Sequence, residues 1–157
     1  MSNKKTVNFE VNYGSSLTGG LTMQLVPVEQ GIVDYVNEME NFYYDDGICI
    51  NETAFGFIER CIAENVRDNY CHWGITKIDN EEWEIIVTAV KYVVSDWRNA
   101  KSIIDVMASL NRFEDDGFYQ KLYFEKTRKE FLNFAEEFLL WGNGVFEKYK
   151  TMVVLGL

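Results

Sequence analysis

The 157-residue chain is 47% hydrophobic, 15% aromatic and 25% charged, with a single proline, which excludes a disordered tail or a collagen-like chain. Its 25 acids against 15 bases give a formal net charge of −10, a field that repels phosphate backbones and anionic lipid and favours basic partners. A chain of this length can bury a continuous core without disulfides or metal.

Residues 6–13 alternate, with Val7, Phe9, Val11 and Tyr13 on one side and Asn8, Glu10 and Asn12 on the other, the pattern of a half-buried strand. Gly14-Ser15-Ser16 and Gly19-Gly20 predict a turn, after which Leu21, Met23 and Leu25 alternate until Pro27 stops pairing. A β-hairpin is the simplest reading, and its apolar face needs a cover. From residue 29 the spacing turns helical, with Ile32, Val36, Met39 and Tyr43 on one stripe and Asp45-Asp46-Gly47 as the stop. A second helix is predicted over 53–72, with Phe55, Ile58, Ile62, Val66 and Tyr70 as its stripe and Gly74 beyond its end.

The third helix carries the fullest set of signals. Asp79 or Asn80 can cap it, Glu81, Glu82 and Glu84 complement its dipole, and Arg98 lies near its far end. Trp83, Ile86, Val87, Val90, Val94 and Trp97 form its apolar face. Ile103, Ile104, Met107 and Leu110 predict a shorter helix or a continuation past a kink, and Glu114-Asp115-Asp116-Gly117 a turn. A long helix to about Trp141 follows, with Phe124, Phe131 and Phe138 at heptad spacing and Gly142-Asn143-Gly144 as its breaker. The apolar tail 150–157 is suited to add a strand to the hairpin. The expected fold is α+β in one domain, 1–157, mostly helical, with four to five helices between an N-terminal β-hairpin and a C-terminal strand of a small antiparallel sheet.

Catalytic signatures are missing. There is no phosphate loop, no Gly-x-Gly-x-x-Gly after a strand and no His-Glu-x-x-His, His72 being the one histidine. Cys71-His72 does not read as a nucleophile and base, because neighbours on a helix point about 100° apart. It reads instead as a buried cysteine beside a histidine at a helix end. Asp45/Asp46 and Asp115/Asp116 adjoin glycines in turn contexts, which favours solvated turns over acid and base chemistry. No catalytic residue, metal ligand or cofactor is assigned, and the expectation is a binding protein rather than an enzyme.

Neither an h-region behind Lys4 and Lys5 nor an apolar stretch of membrane-spanning length is present, so no signal peptide and no membrane association is expected. Cys49, Cys61 and Cys71 form an odd set without a Cys-x-x-Cys pair, which reads as buried free thiols in a reducing cytosol. A cytoplasmic location follows from these as the expectation.

The acid excess lies in the first two thirds: seven acids face two lysines over residues 1–50 and nine face five bases over 51–100, against nine and eight over 101–157. Three adjacent aromatics, Phe42, Tyr43 and Tyr44, cannot all face one core beside Asp45 and Asp46, so at least one ring should be partly exposed. Exposed tyrosine beside carboxylates suits a protein interface, with rigid ring area and pairing to a partner's Arg or Lys. The docking set drawn from this reasoning is Asp34, Tyr35, Glu38, Tyr44, Asp45 and Asp46.

Small, acidic, aromatic-rich cytosolic domains without catalytic motifs resemble, as a class, bacterial immunity proteins that neutralise toxins. Tyr43-Tyr44-Asp45-Asp46-Gly47 looks locally like the Tyr-Tyr patch with neighbouring acids of colicin-nuclease immunity proteins, which are shorter all-helical bundles; that likeness covers five residues of 157. In size and N-terminal strands the chain is more similar to immunity proteins of contact-dependent growth inhibition systems. The resemblance implies a cognate toxin domain, a basic nuclease, bound tightly through protein contacts. A secretion chaperone gripping an effector segment is the alternative. A small-molecule site lined by Trp73, Trp83, Trp97 or Trp141, or an uncharacterised enzyme, comes after it.

Overall fold

The computed structural model describes residues 3–14, 21–110 and 116–156 and bears out the α+β, largely helical class. The strands are β1 (Val11–Tyr13), β2 (Thr22–Val28), β3 (Ile48–Asn51), β4 (Ile75–Asp79) and β5 (Thr151–Gly156). The α-helices are α1 (Glu52–Phe55), α2 (Glu59–Ala63), α3 (Asn80–Asn99), α4 (Asp116–Gln120) and α5 (Phe124–Lys148), with short 3₁₀ segments between them.

The five strands form one antiparallel sheet in the order β1-β3-β2-β5-β4. The C-terminal strand is present and pairs within the chain, between β2 and β4. The hairpin is corrected in one respect: β1 and β2 are not neighbours, because β3 lies between them and pairs with both. The predicted turn at Ser15, Ser16, Gly19 and Gly20 lies outside the described residues. Nor does Pro27 stop the pairing, since β2 runs on to Val28 against β5. The carbonyl of Pro27 accepts from Tyr43 N at 3.0 Å, on the side away from β5, and a strand residue's N and C=O point the same way. The missing N–H therefore costs no bond to β5.

β2 and β5 are buried on both faces. Met23, Leu25, Met152 and Val154 enter the main core, whereas Val26, Val28, Val153 and Leu155 enter a second, smaller core on the reverse face. Period-two alternation decides which residue goes to which core. In the main core α3 and α5 run antiparallel. The start of α3 meets the end of α5, with Trp83 at 5.5 Å from Phe138 and 5.8 Å from Phe146, and its end meets the start, with Trp97 at 5.2 Å from Phe131 and 5.9 Å from Phe124. Trp83 and Trp97 are thus core residues. The predicted cap of α3 forms as a full capping box: Asp79 Oδ1 accepts from Glu82 N at 2.9 Å, and Asp79 N donates to Glu82 Oε1 at 3.1 Å.

Three helical expectations are corrected. Residues 29–46 do not form a helix but lie over the second core as turns and 3₁₀ segments, Met39–Asn41 and Tyr44–Asp46. The Asp34 carboxylate bonds both the backbone and the side-chain amide of Asn37, a local alternative that competes with helix propagation. Over 53–72 the helix is cut into α1 and α2, because residues 54–59 are all buried and a one-faced helix cannot bury six consecutive residues. Helix α5 passes through Gly142-Asn143-Gly144 without a break. Ile103–Ser109 forms a 3₁₀ segment. Of the predicted turn at 114–117, Asp116 and Gly117 open α4, and Glu114 and Asp115 lie outside the described residues.

Gly156 ends β5 where its N–H donates to Gly74 O at 3.0 Å, and a Cβ there would lie 1.6 Å from the carbonyl oxygen of His72. Gly156→Ala must move backbone against backbone, so a loss of at least about 2 kcal/mol is expected in urea titrations. An unchanged midpoint would show that the strand end yields freely.

Candidate protein-binding surface

The segment 43–47 lies against β2, where Tyr43 N donates to Pro27 O, and is tied down further by distant residues. Trp141 Nε1 on α5 donates to Asp46 O at 3.0 Å, Tyr149 donates its hydroxyl to Asp46 Oδ2, and the rings of Tyr43 and Tyr149 lie 4.9 Å apart. From the other side Gly14 N, just after β1, donates to Gly47 O at 2.9 Å. Tyr13, at the end of β1, donates its hydroxyl to Glu137 Oε1 of α5 at 2.7 Å. Burial, followed by the hydrogen bond and charge of Glu137, pushes the Tyr13 phenol up to about 12. For Tyr149 the hydrogen bond to Asp46 is the leading cause, and its phenol also rises to about 12.

The junction of β1, the 43–47 turn and α5 therefore carries aromatic rings and carboxylates side by side. A shallow concavity of about 410 Å³ opens there, lined by Tyr13, Asn133, Glu136, Glu137, Leu140 and Trp141. Tyr13 is 53% and Leu140 67% exposed, a large apolar area at the surface of the described residues.

The six sequence-derived docking residues divide into two groups. Asp45 and Asp46 are exposed and belong to this junction, although Asp46 already spends a carboxylate oxygen on Tyr149. Tyr44 turns to the opposite side, where Phe42 lies 6.0 Å from it and 6.4 Å from Tyr35, so both tyrosines are half-buried over the second core. Burial raises both phenols, and the charges of Asp68 and Glu38 add to the effect at Tyr35. Asp34 is exposed, and its carboxyl lies below the usual range because Asn37 donates to it. Glu38 is half-buried and close to Asp34 N. Tyr13, Tyr43, Glu136, Glu137, Trp141 and Tyr149 lie outside the sequence-derived set. The exposed Glu136-Glu137 pair on the outer face of α5 was the available signal.

A second polar cluster surrounds His72 and departs from the sequence expectation. Cys71 is exposed rather than buried, while Cys49 and Cys61 are buried free thiols. His72 does not end a helix. It is buried in the turn before β4, with Nδ1 against Glu59 Oε1 and Nε2 2.6 Å from Glu52 Oε1. Tyr70 donates its hydroxyl to the same Glu59 oxygen. Both ring nitrogens face carboxylate oxygens, so both donate and the ring is an imidazolium. With its side chain 4% exposed it serves as a counter-ion for Glu52 and Glu59, closed to substrate.

Burial raises the Cys61 thiol to about 11, with a further push from Glu64, so it remains a thiol at neutral pH. Among the described residues no group of three or more His, Cys, Asp and Glu is arranged to hold a metal ion, and no helix is long and apolar enough to cross a membrane. No family model matches the chain, and comparison with curated proteins and with solved structures returns no significant match to either.

Proposed function

We propose that this chain is an acidic binding protein that neutralises a cognate basic toxin domain, a nuclease, by tight protein association. The reading rests on the junction of β1, the 43–47 turn and α5, where the exposed apolar area of Tyr13 and Leu140 lies beside Glu136 and Glu137 and the turn presents the exposed Asp45. A nuclease presents Lys and Arg to its substrate, and carboxylates on rigid supports compete for the same groups, raising both association rate and affinity. The aromatic rings add contact area at small conformational cost. No nucleic acid, membrane or cofactor enters this reading, and its place is the cytoplasm.

Co-expression decides it. The open reading frame directly upstream in the source genome is induced with and without this protein, and survival is scored. Rescue that a non-cognate acidic protein cannot supply is the expected result; toxicity that this protein leaves unchanged sinks the reading. Asp45→Lys with Glu136→Lys then tests the surface, because neither side chain makes a hydrogen bond or ion pair among the described residues. Toxin affinity should fall by at least about 30-fold, or roughly 2 kcal/mol, with thermal stability unchanged. Retained affinity would place the interface elsewhere.

One observation favours a second reading, an effector-binding secretion chaperone. The five-stranded sheet holds more strand than the hairpin and C-terminal strand expected from the sequence. A dimeric mass by light scattering, with no rescue, would select it.

A further inference from the structure

We infer that the concavity between β1 and α5 receives an arginine side chain of the partner and selects it over lysine. This deepens the proposed function and rests on its premise that the face docks a basic protein. Two of the lining side chains, Tyr13 and Trp141, are flat and aromatic, and in sequence Leu140 lies between Glu136-Glu137 and Trp141 on α5. The Trp141 ring is held by its N–H bond to Asp46 O and by Phe138 at 6.4 Å, so it is a fixed platform. Tyr13 occupies Glu137 Oε1, which leaves the second oxygen of Glu137 and both oxygens of Glu136 as acceptors.

Among the described residues no lysine or arginine lines the concavity. An aromatic wall beside several acceptor oxygens matches a guanidinium, which stacks by its plane and donates through a rigid fork of five N–H groups. A lysine ammonium is a compact, strongly hydrated charge that gains less from a flat ring. Pairing of the partner's cation with Glu136 and Glu137 is the charge complementarity that the net charge of −10 provides more diffusely.

The test uses fluorescently labelled octa-arginine and octa-lysine, which carry equal charge, so general attraction cancels in their ratio. Anisotropy titrations should give about fivefold tighter binding of octa-arginine. In ¹H–¹⁵N spectra the Trp141 indole resonance should shift with octa-arginine. Glu136→Gln removes the charge and replaces one acceptor oxygen by an amide donor, and Leu140→Arg fills the concavity with the chain's own guanidinium; both should bring the ratio close to one. Glu84→Gln, on the exposed side of α3, should leave it unchanged.

Equal affinities in the wild type, a fivefold ratio surviving in both variants, or an unmoved Trp141 indole would each overturn the assignment. Failure here with toxin rescue intact removes only the arginine site. Arginine selection without rescue removes only the toxin.

Discussion

His72→Leu is expected to lower stability by about 3–5 kcal/mol at neutral pH, the range for breaking a buried ion pair by removing one partner. The imidazolium joins Glu52 at the start of α1 to Glu59 at the start of α2, and both carboxylates would keep their burial without their counter-ion. The Tyr70 hydroxyl would still donate to Glu59 but carries no compensating charge. Adding Glu52→Gln and Glu59→Gln to His72→Leu should restore part of the loss, since neutral amides are cheaper to bury than unpaired charges. Urea unfolding followed by tryptophan fluorescence measures both variants.

The cluster also sets a pH dependence. Burial by itself lowers the pKa of His72, but the hydrogen bonds and charges of Glu59 and Glu52 outweigh it and hold the imidazolium above its ordinary range. A folded pKa above the unfolded value of about 6.5 means that this stability is fully present below pH 6.5 and is lost as pH rises through the folded value. Wild-type stability should therefore decline on the alkaline side of pH 6.5, while His72→Leu should lack that component. Parallel curves for the two proteins between pH 6 and 9 would refute the imidazolium assignment.

Gly142→Ala should destabilise by about 2 kcal/mol, whereas Gly144→Ala, two residues on, should stabilise by about 0.5–1 kcal/mol. Helix propensity by itself favours both changes, because alanine exceeds glycine by about 1 kcal/mol in a helix interior. The positions differ in what a Cβ meets: at Gly142 it would lie 2.0 Å from Trp83 Cζ2, and at Gly144 nothing is within 4 Å. Trp83 has little room to yield, being packed between Phe138 and Phe146 with its Nε1 donating to Asn143 Oδ1 at 2.9 Å. Trp83→Phe removes the part of the indole that collides, so it should recover some stability in the Gly142→Ala background. Two alanine variants that both stabilise would show that α3 and α5 separate easily.

These glycines also mark where reading along the chain stops being informative. As a tripeptide, Gly142-Asn143-Gly144 is a helix breaker. In the folded protein it is the place where α5 approaches Trp83 closely enough to bond it through Asn143. Residues 29–46 present helical spacing, but the surface they cover is the reverse face of the sheet, and Val36 of the predicted stripe is left 69% exposed. At the candidate surface, Tyr44 turns to the second core, whereas Asp45 and Asp46 were legible as exposed acids of a turn. Their neighbours were not, because Trp141 and Tyr149 lie 95 and 103 residues further along the chain.

By itself the sequence determined the α+β class, the acidic surface charge, the capped helix α3, the phenylalanine stripe of α5 and the C-terminal strand. Each depends on interactions within a few turns of the chain, where periodicity and capping chemistry act directly. Only the tertiary structure decided that β3 separates β1 from β2, that His72 neutralises the buried Glu59 and the half-buried Glu52, and that Tyr44 and Asp45 lie on different faces. Those outcomes depend on which distant segments compete for the same sheet edge and the same buried volume, and burial selects among pairings that the local sequence leaves equally open.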